Sequence, residues 1–382
     1  MRVGLLPGSA HWVGGPGTYL TGFAQGVARD EVDVSLRILL LGLGQLRRSA
    51  AHQRQVLRDS FPANMRVPVV ARPVSPRWYR TRAAGMLPRL DRLFGRHDVY
   101  HQAHLDMDPP VSGDRLVLTL HDLIATAWPD EGSLLPRAGA LLRRAAAVIT
   151  VSETSRARIL ERFHDVHPER VHVIWNGVDH TSFTVDRSGT DIDRLRRAAV
   201  PSEYILYVGG ITRRKNVPAL VEAHGRLRDR GVDVPPLVLV GPWRSSQLTE
   251  VLHRDLGPSV IALGSVATEL VPILMRHACV VAAPSCDEGF GLPLLEAQAC
   301  GAIAVCSDIP VFREVGGAAP LYTEPTEEGL AAAIQLALEM STEERDGRRK
   351  VGVDHARDFS WSRSAAAHAA VYRQVGSGSD AV

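Results

Sequence analysis

Cysteine is scarce in this chain. The 382 residues hold four, Cys279, Cys286, Cys300 and Cys306, all in one late stretch, and no two stand at the short spacing of zinc or redox pairs. A zinc or redox pair is thereby argued against, and the four are expected to be reduced core residues, since free cysteine is among the most buried side chains. Long apolar runs are missing too. No segment approaches eighteen uninterrupted apolar residues, and the opening Met1-Arg2-Val3-Gly4-Leu5-Leu6 is too short for a signal peptide. The expectation is a cytoplasmic protein, with room for peripheral contact at the inner face of the cell membrane. Nor does one sign of charge dominate: 44 Lys and Arg against 42 Asp and Glu leave +2. Nothing in that balance demands nucleic acid, while an anionic small substrate stays open.

What is present is enough apolar content, 45%, for two domains with separate cores. Short runs rich in Val, Ile and Leu recur at 3–6, 34–41, 116–120, 148–151 and 171–174, with helical patterns between most of them. That alternation predicts buried parallel strands joined by helical crossovers, an open α/β sheet. A polar stretch at 180–199, containing Asp186-Arg187-Ser188-Gly189-Thr190-Asp191, interrupts the pattern and reads as a connection between domains. The alternation then resumes, with strands expected at 204–208, 237–240, 260–263, 279–283 and 303–306. The domain limits expected are 1–190 and 191–360, followed by a helix over 361–375 and a disordered tail over 376–382. Two such domains facing one another would leave a cleft at the carboxyl ends of their strands, where sheets of this kind bind ligands.

The most informative segment runs from Pro284-Ser285-Cys286-Asp287-Glu288-Gly289-Phe290-Gly291-Leu292-Pro293 to Glu296 and Gly301, just after an expected strand. Gly289 and Gly291 permit a tight path around Phe290, and Pro293 suits the first turn of a helix. Backbone amides at such a turn, with the positive end of the helix dipole, can seat a diphosphate or a sugar hydroxyl. Glu288 and Glu296 can accept hydrogen bonds from hydroxyls of two different rings. For an isolated pair, a solvated loop charge and a helix-start preference would be the more ordinary account.

This pair of glutamates, seven residues apart in that setting, resembles the signature of the retaining glycosyltransferases of GT-B fold, the large family-four type that includes bacterial mannosyl- and glucosyltransferases. Further stretches resemble the family in order and spacing. Tyr207-Val208-Gly209-Gly210-Ile211-Thr212-Arg213-Arg214-Lys215-Asn216 runs from a strand through a glycine turn, and Arg214 and Lys215 are suited to gripping a departing nucleotide diphosphate. Relatives commonly carry Arg at the position of Gly210. Val117-Leu118-Thr119-Leu120-His121-Asp122-Leu123 ends a strand at His121, which the resemblance places at the donor sugar, while Asp122 either orients that ring or caps the next segment. Gly14-Gly15-Pro16-Gly17-Thr18-Tyr19 opens a helix whose amides could face phosphates or acceptor, although Pro16 and Thr18 depart from the family's usual loop. Ser152, Asn176-Gly177 and Arg313-Glu314-Val315 are family landmarks without assigned roles, and Ser152 can equally cap a helix.

The resemblance implies two Rossmann-like domains, the first on the acceptor side and the second holding the nucleotide sugar. His121, Glu288, Arg214 and Lys215 become the catalytic candidates. Glu296, Gly289, Phe290, Gly291, Leu292, Gly209 and Gly210 become the donor-binding candidates, and Gly14, Gly15 and Gly17 a phosphate or acceptor loop. It implies retention by front-face attack, with the leaving phosphate helping to deprotonate the acceptor; whether a covalent intermediate forms stays open. No cofactor or metal is expected, the donor being a co-substrate. GDP-mannose is favoured and a UDP-hexose is the alternative. The acceptor is a glycan, a lipid-linked sugar or a small molecule; the basic, partly aromatic stretch 72–96, with Arg77, Trp78, Tyr79, Arg80, Arg82, Arg89 and Arg92, could touch an anionic membrane surface, although a solvated helix face plus loop is the more ordinary account of such a charge run. Two readings of other classes stand beside it. One is a non-catalytic sugar-nucleotide-binding protein. The other is a NAD-dependent oxidoreductase, against which stand the missing third glycine at Leu20 and the absent ribose-binding acid after Leu40-Leu41-Gly42.

Overall fold

The structure is a computed structural model, and it describes residues 1–6, 15–29, 35–43, 69–74, 96–105, 111–123, 128, 138–242 and 259–378. The loop residue Gly14 and the basic stretch from Arg77 to Arg92 lie outside these residues.

The chain divides into two compact units, one made of 1–177 with 360–382 and the other of 178–359. In the first unit the order is β1 (Arg2–Leu6), α1 (Gly15–Arg29), β2 (Ser35–Leu43), β3 (Val69–Val74), β4 (Val99–Gln102), β5 (Leu116–Thr119), α2 (Ala138–Arg144), β6 (Ala147–Thr150), α3 (Glu153–Arg162) and β7 (Val171–Val173). Then, in the second unit, come α4 (Asp191–Arg197), β8 (Ile205–Val208), α5 (Val217–Asp229), β9 (Leu237–Val240), β10 (Val260–Gly264), α6 (Val271–His277) and β11 (Val280–Ala283). It ends with α7 (Leu292–Ala299), β12 (Ala304–Ser307), α8 (Pro310–Gly316), β13 (Leu321–Thr323), α9 (Glu327–Glu339) and α10 (Thr342–Ala356). The last helix, α11 (Trp361–Gly378), belongs to the first unit.

Each unit is a parallel sheet, ordered β3-β2-β1-β4-β5-β6-β7 in the first and β10-β9-β8-β11-β12-β13 in the second. The cores follow from the two-residue side-chain period of a strand. In β5, Val117 joins a core with Val3, Leu5, Phe23 and Trp361, while Leu116 and Leu118 join a second core with Leu141, Leu142 and Ile159. In β8, Ile205 and Tyr207 feed one core and Leu206 another. A sheet buried on both faces needs nearly continuous apolar strands, which is why these runs stood out.

Three strands carry no such signal. β4 reads Val-Tyr-His-Gln yet is wholly buried, its His101 and Gln102 excluded from solvent. β3 and β13 are short edge strands carrying Arg72, Pro73 and Thr323. The stretch 180–199 is no simple connector. It contributes α4, whose Asp191 is buried against Arg276 at 2.8 Å and His277 at 3.2 Å, while its Leu195, with Val200 just beyond, enters the second unit's core. The division therefore falls at 177/178 and 359/360 rather than 190/191 and 360/361. The tail differs as well, because α11 continues through Gly376 to Gly378. Cys300 and Cys306 are buried as expected, whereas Cys286 is exposed.

Ser152 does cap α3, accepting from the Ser155 amide at 3.0 Å. α1 and α11 cross at very close range: a Cβ added to Gly26 would lie 2.2 Å from the Trp361 carbonyl oxygen. Gly26→Ala is expected to lose about 1–3 kcal/mol, because backbone atoms must move. Gly225, inside α5 with no atom near its missing side chain, should respond oppositely, gaining about 0.5–1 kcal/mol as Ala. Urea unfolding midpoints of the two variants read both signs.

Candidate functional site

Two loops of the second unit, each following a central strand, meet side by side. β8 leads to Gly209 and Gly210, and the Tyr207 hydroxyl donates to the Gly210 carbonyl at 2.9 Å, closing the turn. Asn216, in the left-handed region at φ 55°, then starts α5 with Pro218 in its first turn. β11 leads to the segment 284–291, and Gly291 takes φ 96° just before α7. Only glycine suits it: a Cβ there would lie 2.6 Å from the Phe312 ring. Phe290, buried, packs edge-on to Phe359 at 6.1 Å between ring centres.

The loops are tied by backbone and charge. The Cys286 amide donates to the Arg214 carbonyl at 2.9 Å, and the Arg214 guanidinium donates to the Asp287 carbonyl. Glu288 sits at the centre. Its carboxylate accepts from Ser285 Oγ at 2.8 Å, from Arg214 Nη1 at 3.1 Å and from Lys215 Nζ. Side-chain exposure is 9% for Glu288, 11% for Arg214 and 17% for Lys215. Burial pushes the Glu288 carboxyl up, but the Lys215 and Arg214 charges with the Lys215 and Ser285 hydrogen bonds outweigh it and hold it below its ordinary value. Two cations against one carboxylate leave the cluster with a net positive charge suited to an anion. Ser285 was quoted in the sequence motif without a role; only the fold shows that it completes the carboxylate's partners.

Glu296 is the other kind of acid. It stands on α7, half-buried, with no side-chain hydrogen bond or ion pair among the described residues, and burial pushes its carboxyl up to about 7. Near neutrality it exchanges between donor and acceptor, so a ligand hydroxyl can meet either form. Leu292 opens α7 and is buried, as is Gly289 before it. Arg313, on α8, is held two-pronged by Asp308 at 2.7 Å and lies over the Tyr322 ring.

His121 lies in the first unit, just past β5. Its Nε2 donates to the Ala103 carbonyl at 3.2 Å, which leaves Nδ1 as the acceptor, and its ring stands perpendicular to Tyr19 at 4.7 Å. Burial, then the neighbouring His104, pushes its pKa down to about 4, so it is neutral at physiological pH. Gly15 opens α1 and Gly17 is buried in its first turn. The structure thus brings Arg214, Lys215 and Glu288 into direct contact, with Gly209, Gly210 and the 289–292 turn on the same two loops.

Residues 13–182 match the model of Glycosyltransferase Family 4, and residues 191–351 match that of Glycosyl transferases group 1. The chain belongs to the family-four type of glycosyltransferases. Among similar proteins is the O-antigen chain mannosyltransferase B of Escherichia coli, 29% identical over 69% of this chain and 71% of that one. The D-inositol 3-phosphate glycosyltransferase of Jonesia denitrificans is 29% identical over 60% of this chain and 57% of its own length. Among solved structures, Anabaena HepE in complex with UDP and glucose superposes with a TM-score of 0.70 over the full length of both chains at 19% identity. At that identity it shows the fold alone, and the fold is GT-B.

The family's two glutamates respond to pH in opposite ways here. Glu288 has a folded pKa below its unfolded value of about 4.3, so its stabilisation is complete above that value and is lost as pH falls through the folded one. Glu288→Gln, which leaves two cations facing each other, is expected to cost roughly 3–5 kcal/mol at neutral pH. The gap to the natural protein should narrow in acid. Glu296, raised to about 7, costs stability as pH rises from about 4.3 to 7. Glu296→Gln should therefore raise the melting temperature at pH 8, by up to about 4 kcal/mol in stability, and change little at pH 4. Calorimetric scans across pH read both.

Proposed function

We propose that this glycosyltransferase moves a hexosyl group, mannosyl from GDP-mannose, to a hydroxyl of a glycan, lipid-linked or small-molecule acceptor, retaining the anomeric configuration and using no metal ion or cofactor. The observation that carries the reading is the buried Arg214-Lys215-Glu288 cluster beside the N-terminus of α7. Charge grows on the leaving diphosphate as the glycosidic bond breaks, and two held cations with the amides of the 289–292 turn can stabilise it in place of a metal. Glu288 keeps both cations in position. Glu296 takes sugar or ribose hydroxyls, and the neutral His121 accepts a hydroxyl hydrogen of the donor sugar through Nδ1.

Similarity to a mannosyltransferase at 29% identity supports mannose as the transferred sugar. A UDP-hexose is the second reading, favoured by the shared fold with a protein solved with UDP and glucose. Retention, with the leaving phosphate taking the acceptor's proton, is carried from the family resemblance. Among the described residues no helix is long and apolar enough to cross a membrane. The reading has the enzyme cytoplasmic, acting in polysaccharide assembly and meeting the membrane peripherally where the acceptor is lipid-linked.

Thermal stabilisation by a panel of GDP, UDP, ADP, their mannose and glucose conjugates and NAD tests it, since a ligand of the folded state raises the midpoint by mass action. GDP and GDP-mannose are expected to stabilise, Glu296→Ala to lose the response, and Lys215→Ala to reduce kcat by about 10²–10³-fold, the cost of one preorganised donor. Stabilisation by UDP and UDP-glucose alone replaces mannose with the second reading. A response confined to NAD, or binding without transfer to any acceptor, overturns the proposal.

A further inference from the structure

The core of the first unit holds a row of polar side chains that the transfer chemistry does not use. Tyr19 on α1, His101 on β4, Thr119 on β5 and His368 and Tyr372 on α11 are all at most 1% exposed. They form one continuous line. The Tyr372 hydroxyl lies 2.7 Å from His101 Nδ1, His101 Nε2 lies 2.7 Å from Thr119 Oγ1, and Thr119 Oγ1 lies 3.1 Å from the Tyr19 hydroxyl. That hydroxyl lies 2.8 Å from His368 Nε2, and His368 Nδ1 lies 2.7 Å from the Ser364 carbonyl.

A carbonyl can only accept, so His368 Nδ1 carries a proton. Burial pushes the His368 pKa down to about 4 and that of His101 well below its ordinary value, so both rings are neutral. Everything else is then forced. His368 Nε2 is a bare acceptor and takes the Tyr19 hydrogen. The Tyr19 oxygen accepts from Thr119, Thr119 accepts from His101 Nε2, and His101 Nδ1 accepts from Tyr372. Each hydrogen is used once and only one polarity satisfies the row, so cutting any bond strands a buried polar atom.

The row ends on nothing catalytic, but one member touches the candidate site. The Tyr19 ring, whose hydroxyl is fixed by Thr119 and His368, stands perpendicular to the His121 ring at 4.7 Å. Together with the Ala103 hydrogen bond, this ring contact bears on the angle of the His121 imidazole.

We propose that Tyr19 and His368 are positioning residues for glycosyl transfer, holding the His121 ring through a one-way hydrogen-bond row anchored on the C-terminal helix. This rests on the reading of His121 given above. Neither residue touches substrate; both act through His121.

The full chain with labelled histidines tests it by NMR, the His121 ring signals being assigned with His121→Gln. Tyr19→Phe keeps the ring and removes the hydroxyl; His368→Leu removes the anchor beyond it; His368→Gln restores an acceptor. The first two variants are expected to displace the His121 ring signals and to lower kcat about ten- to a hundredfold, the scale of a misplaced group, with little change in donor KM. His368→Gln should return both part-way. If His368→Leu fails to fold, Tyr19→Phe, a loss of one oxygen, carries the same test. Lower melting temperatures with unchanged His121 signals and unchanged kcat would reduce the row to a structural element and overturn the proposal. A natural protein without transferase activity would sink the functional reading instead, and the His121 signals separate the two failures.

Discussion

A carboxylate withdrawn from water between two cations is the constraint around which the second unit's candidate site is arranged. Glu288 can be buried only because Ser285, Arg214 and Lys215 reach it, and those cations can sit this close only because the carboxylate lies between them. Each loop is therefore incomplete without the other. The backbone bond from Cys286 to Arg214 and the bond from Arg214 to the Asp287 carbonyl repeat the same coupling in neutral groups. The parallel order β9-β8-β11-β12 sets the two loops side by side at the start, since β8 and β11 are hydrogen-bonded neighbours despite lying more than seventy residues apart.

Much of this was legible in the amino-acid order, and for physical reasons. Strands buried on both faces must be apolar throughout, so β1, β5, β6, β8, β9 and β11 announced themselves. Gly291 and Pro293 marked a helix start because few residues tolerate the backbone angles there. What stayed hidden were groups whose meaning depends on a distant partner. His101 and Gln102 made β4 read as polar, since nothing in its neighbourhood reveals Thr119 or Tyr372. Asp191 looked like part of a solvated connector because Arg276, which neutralises it, comes eighty-five residues later. Ser285 carried no signal, as a serine after a strand is commonplace until Glu288 is folded back onto it.

The two acids of the family signature show how one motif separates into two physical roles. Glu288 is saturated with donors and held ionised, so it behaves as a fixed charge that shapes its surroundings. Glu296 has burial without compensation, which keeps its proton loosely held near neutrality. A substitution at the first disturbs protein before ligand, while one at the second relieves the empty protein. On the proposed role of Glu296 as a ligand for donor hydroxyls, stability and function are set against each other there, a familiar condition of binding groups that wait for their partner.

The return of the chain to its first unit also has a consequence for synthesis. Tyr19 is made early, but His368, to which its hydroxyl donates, and Trp361, against whose backbone Gly26 lies, emerge only after the whole second unit has been translated. A ribosome releasing the chain in order therefore presents an α1 that lacks the part of its cover supplied by α11 for more than three hundred residues of elongation. The second unit can close first, because its own residues are contiguous. The first half of the polypeptide would spend that interval as the more vulnerable partner, and a chain stopped short of residue 361 would never acquire the helix that completes it.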